Sequence, residues 1–110
     1  MPADIAIEFL ARQGPALLRL VDRYLAEQAT HEDAISYAWA VIDEWGELGI
    51  SDKAPDSSAE ELFWSLIWGL QHLADSEHWR DGATRRELRP LVNAFRNGGE
   101  IPPGISALRP

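Results

Sequence analysis

His72, Asp75 and His78 stand at i, i+3 and i+6, beside Glu77. Two imidazoles and a carboxylate are a legitimate ligand set for zinc or iron. The spacing argues against it. On a helix His78 lies roughly 240° around from His72, so one ion could meet all three only if the helix ended or unwound near Ser76. Other chemistry has less to stand on. The chain has no cysteine, no G-x-S-x-G elbow, and places Ser65 between apolar helical residues; Gly98-Gly99 precedes no helix that could cradle a phosphate. No catalytic residue, metal ligand or cofactor is expected, and the chain is read as a non-enzyme.

Two other groups suit recognition better than catalysis. Asp43-Glu44-Trp45-Gly46-Glu47 puts three carboxylates at the end of a helix, where negative charge opposes the macrodipole. Local folding gains nothing from them, which favours a basic partner. Pairing with Arg12, Arg85, Arg86 or Arg89 inside the molecule is the alternative. The second group is Trp64 and Trp68, an i, i+4 pair in ELFWSLIWGLQHLADSEHW, residues 61–79. Leu62, Phe63, Leu66, Ile67, Leu70, Leu73 and Ala74 share a broad arc of ~140° and form the core face, while the two tryptophans fall opposite it. Two readings are open for them: packing under the C-terminal tail or first helix, or exposure as aromatic anchors in a binding patch, where a homodimer would give the same pattern.

The elements that must position these residues are all helical. Every long apolar pattern has helical period and none alternates like a strand. A first helix is expected over Asp4–Arg12, stopping at Gly14-Pro15. A second starts after Pro15, with Leu17, Leu20, Val21, Tyr24 and Leu25 on one side. Thr30 to Asp33 forms a capping box opening a third, with Ile35, Ala38, Trp39, Ile42 and Trp45 at core spacing; it ends near Gly46 to Gly49. After the linker ISDKAPDSS, a second box at Ser58 to Glu61 opens a fourth helix running to Ser76 or Trp79. A third box at Thr84 to Glu87 introduces Leu88, Leu91, Val92 and Phe95, closed by Asn97-Gly98-Gly99. Pro90 either kinks this last helix or begins it. EIPPGISALRP is read as an extended tail laid over the bundle through Ile101, Ile105 and Leu108. The expectation is one all-α domain over 1–110, a bundle of about five helices with irregular termini at 1–3 and 98–110.

Composition limits the partner. At 110 residues and 45% hydrophobic the chain builds one modest core. No apolar run approaches the ~20 residues of a membrane span, and the acidic start carries no signal-peptide pattern, so a cytoplasmic protein without membrane contact is expected. Formal net charge is −8. Residues 30–56 carry seven acids against Lys53, a sum of −6, whereas 82–110 carry five arginines against two glutamates, +3. Phosphate backbones would be repelled, which disfavours nucleic acid; a basic protein would be attracted to the acidic middle.

Size, charge and the DEWGE and ELFWSLIW stretches together resemble the small, acidic, all-helical bacterial immunity proteins of contact-dependent inhibition systems, type VI effectors and nuclease colicins. The resemblance implies a non-enzymatic inhibitor that covers a toxin's basic active site with carboxylates. It further implies Asp43, Glu44, Trp45 and Glu47 as contacts and Trp64 and Trp68 as anchors. The other reading is a self-associating helical adaptor or regulatory module closed through the tryptophan stripe.

Overall fold

Four helices form among the described residues, because the first two expected ones are continuous: α1 (Pro2–Leu25), α2 (His31–Glu47), α3 (Ser58–Gln71) and α4 (Ala83–Asn97). They belong to a computed structural model that describes residues 2–55, 57–71, 83–98 and 107–110. The fold is all-α, and none of the described residues is in a strand. Helix begins at Pro2, so residues 2 and 3 are not irregular as the sequence suggests. His72, Asp75 and His78, with Glu77, Trp79, Ile101 and Ile105, lie outside the described residues, as do the side chains of Thr84 to Glu87.

Gly14-Pro15 does not break α1, and the reason is register. Ala6, Phe9, Leu17, Val21 and Tyr24 are all buried, a stripe that stays in phase across the proline. Pro15 itself lies on the exposed side, so its ring meets solvent rather than a neighbour. Its missing N–H leaves the Ala11 carbonyl without a helical donor, a loss that burial of the stripe outweighs. Gly14 is buried facing α4, where a Cβ would meet the Phe95 ring at 3.4 Å, an ordinary van der Waals contact.

α2 starts where expected. The Thr30 hydroxyl accepts from the Asp33 N–H and the Asp33 carboxylate from the Thr30 N–H, both at 3.0 Å. The backbone donor of Thr30 and then its hydroxyl hold the Asp33 pKa below the ordinary carboxylate value. The buried seam of α2 is Ala34, Ala38, Val41 and Trp45. Trp39 is not part of it. It lies roughly 130° around the helix from that seam and is 46% exposed, which corrects its placement among the core residues.

α3 is the central element. Glu60, Leu62, Phe63, Trp64, Leu66, Ile67 and Leu70 are buried, and no residue from Ala59 to Gln71 is fully exposed. The cap is Ser57 rather than Ser58: its Oγ accepts from the Glu60 N–H at 3.1 Å. α4 packs through Leu88, Leu91 and Val92, carries Pro90 in its interior on the exposed side, and does not begin at it. Gly98 ends it at φ +64°, the left-handed conformation glycine adopts without strain.

Continuity of α1 through Pro15 gives a direct prediction. Pro15→Ala restores the missing donor at an exposed site and is expected to raise stability by up to about 3 kcal/mol in denaturant titration. A decrease would show that the helix is interrupted there.

Candidate functional site

The acidic end of α2 separates into three environments. Glu44 is engaged: Arg12 pairs with its Oε1, and Gln13 Nε2 donates to its Oε2 at 2.8 Å. This is the internal pairing that the sequence left open, and with both side chains substantially exposed it contributes at most about 1 kcal/mol. Asp43 and Glu47 are exposed and join no ion pair among the described residues. Trp45 between them is buried, 2% exposed, and packs edge-on against Phe9 and Trp64 with ring centroids 5.1 Å away in each case. It faces the core and cannot touch a partner in this structure.

Gln13 links this end to α1. The Tyr37 hydroxyl donates toward Gln13 Oε1 at 3.1 Å, with the Gln13 carbonyl at 3.3 Å. Burial first, and the Glu44 carboxylate second, push the Tyr37 pKa up to about 12 from 10.0. The unfolded phenol releases its proton first, so this stabilisation is full below pH 10 and is lost as pH rises from about 10 to 12. Tyr37→Phe is expected to flatten the decline in stability across that window, read by denaturant titration at several alkaline pH values. An unchanged slope would assign the decline to other groups.

Neither tryptophan of the α3 pair is an exposed anchor. Trp64 is fully buried, stacked on Phe9 at 6.1 Å and edge-on to Phe63 at 4.8 Å, and its indole N–H donates to Glu60 Oε2 at 3.0 Å. Trp68 is half-buried and donates to the Leu108 carbonyl at 2.8 Å. The two sit under the first helix and the segment 107–110, the first of the two readings open in the sequence. That segment docks differently from the expected apolar contact of Leu108, whose side chain is 62% exposed. Arg109 is the residue that inserts.

Sequence reasoning missed the Arg109 site. Its guanidinium grips the Glu60 carboxylate bidentately, Nε to Oε2 at 2.5 Å and Nη2 to Oε1 at 2.8 Å, with both side chains less than 5% exposed. It lies over the Trp45 ring, 5.2 Å from the centroid, donates to the Asp52 carbonyl at 3.2 Å, and its own N–H donates to the Lys53 carbonyl at 2.9 Å. Lys53 Nζ reaches the Pro110 carbonyl at 2.6 Å. No local signal announces a partner 49 residues away, and the box read at Ser58 to Glu61 leaves Glu60 as an ordinary first-turn carboxylate.

A set of three or more side chains able to hold a metal ion does not occur among the described residues. The apolar groove between α1 and α4, about 440 Å³ and bordered by Ile7, Leu10, Leu18 and Phe95, has no titratable lining. No described helix is long and apolar enough to cross a membrane. Compared with protein-family models, curated proteins and solved structures, the chain matches none.

The buried pair yields a stability test. Arg109→Met strands the Glu60 carboxylate and is expected to cost about 3–5 kcal/mol. Adding Glu60→Gln, which removes the charge but keeps an acceptor for the Trp64 indole, should restore most of it. A single-variant loss below about 1 kcal/mol would show that the carboxylate is not held in a dry site.

Proposed function

We propose that this chain is a non-enzymatic binding protein of the bacterial immunity type, which neutralises a toxin domain by covering its basic active surface with carboxylates. The observation that carries the reading is the end of α2. Asp43 and Glu47 stand exposed and unpaired among the described residues, in turns where the macrodipole disfavours them. Charge that no described residue pairs with is available for a partner. The whole helix carries five carboxylates, Glu32, Asp33, Asp43, Glu44 and Glu47, and no lysine or arginine. A basic surface would be steered to it, giving fast, salt-sensitive association.

The contact set is narrower than the sequence alone suggests. Asp43 and Glu47 join no ion pair among the described residues, Glu44 is shared with Arg12, and Trp45, Trp64 and Trp68 serve the interior and the segment 107–110. The adaptor reading through a Trp64 and Trp68 stripe would have to rest on Trp68 alone, since Trp64 is fully buried.

Co-expression with the product of the adjacent upstream reading frame tests the proposal: the chain should protect the cell from that product. Asp43→Lys with Glu47→Lys is expected to slow association about tenfold or more at low salt without lowering thermal stability, which the macrodipole should raise slightly. Protection and association unaffected by the double reversal would remove the acidic end of α2 from the interface. No protection at all would end the immunity reading.

A further inference from the structure

The outward face of α2 holds a feature that neither the core nor the acidic end explains. Glu32, Ser36, Trp39, Asp43 and Glu47 are all exposed and, at about 100° per residue, fall within one arc of roughly 80°. Trp39 lies at its centre along the axis, one turn from Ser36 and one from Asp43. An indole left 46% exposed on a helix without a single lysine or arginine has no cation from its own element to cover it.

The molecule already shows what such a combination holds. In its interior an indole, Trp45, and a carboxylate, Glu60, together receive the Arg109 guanidinium, whose carbon lies over the one, 5.2 Å from the ring centroid, while the other grips it bidentately. Trp39 and Asp43, at i and i+4, offer the same two groups on the surface, with Glu47 one turn further. A planar guanidinium suits that pairing, because it stacks on an aromatic face while its edge forms parallel hydrogen bonds to a carboxylate. A lysine ammonium does the second only as a point charge.

We infer that this face is the docking surface for a basic protein partner presenting arginine, with Trp39 as the stacking platform and Asp43 and Glu47 as the carboxylates that grip the guanidinium edge. The inference rests on the inhibitory-binding reading above and names the residues and partner chemistry it uses. Glu32 extends the negative field along the same arc, so the partner's basic patch is elongated along α2. Trp39 becomes the aromatic contact in place of Trp45 and Trp64.

The test uses the full chain with tryptophan-free oligo-arginine and oligo-lysine peptides of equal length, followed by titration calorimetry and by the indole resonances. The arginine peptide is expected to bind tighter, and the Trp39 indole is expected to shift while those of Trp45 and Trp64 stay. Trp39→Ala should lower arginine-peptide affinity by about threefold to thirtyfold with little effect on the lysine peptide, and Asp43→Asn with Glu47→Gln should weaken both. Circular dichroism of each variant checks that the fold is intact, as expected for surface changes. Equal binding of the two peptides, an unmoved Trp39 resonance, or Trp39→Ala binding like the parent would overturn the inference. Concentration-dependent light scattering abolished by Trp39→Ala would overturn it too, showing a second copy on this face. The two readings fail separately. Toxin neutralisation that survives Trp39→Ala leaves the immunity function standing and removes this face; arginine-selective binding without any neutralisation does the reverse.

Discussion

The buried contact between Glu60 and Arg109 is the constraint around which the rest of the molecule is arranged. A carboxylate in the interior is tolerable only when its charge is matched and its lone pairs are occupied. Here one guanidinium and one indole N–H do both. The requirement reaches outward. Trp45 must place its ring under the guanidinium carbon, Trp64 must turn its nitrogen toward Glu60, and the 52–53 backbone must offer two carbonyls, Asp52 to the side chain and Lys53 to the Arg109 amide. The linker between α2 and α3, the central helix and the segment 107–110 are thereby fixed to one another.

The aromatic interior follows from the same arrangement. Phe9 from α1, Trp45 from α2 and Phe63 and Trp64 from α3 meet in mostly edge-to-face contacts with ring centroids 4.8–6.1 Å apart. Such geometry aligns ring edges with ring faces and contributes beyond simple burial. A helix as apolar around its circumference as α3 therefore has to be central rather than half-exposed. The sequence arc that separates a core face from a tryptophan face is right about Leu62, Phe63, Leu66, Ile67 and Leu70. It leaves open what covers the tryptophan side, which the first helix and the segment 107–110 supply.

Much of the fold can be read from local rules because local rules make it. The Thr30 box, the Gly98 terminus and the helical periods are each set within a few residues of chain. The failures are equally physical. Gly14-Pro15 looks like a break until the phase of Ala6, Phe9, Leu17 and Val21 is followed across it. Trp39 could have been found: the heptad-like seam of Ala34, Ala38, Val41 and Trp45 leaves it off the core, on a helix lacking basic residues. Arg109 could not, since its partners lie in three other parts of the chain and nothing in ALRP distinguishes it from a solvated arginine. Glu60 was hidden because the box read at Ser58 to Glu61 leaves it as an ordinary first-turn carboxylate.

The indole nitrogens also grade the molecule by depth. That of Trp64 is bonded to Glu60 within the core, that of Trp68 is bonded to a carbonyl of the segment 107–110, and Trp39 is open to water. Solvent hydrogen therefore reaches them through different events: cooperative opening of the interior for the first, local release of one segment for the second, and no opening for the third. Three side chains of one residue type thus form a built-in scale of protection, on which a detached segment and an unfolded bundle give distinct exchange signatures.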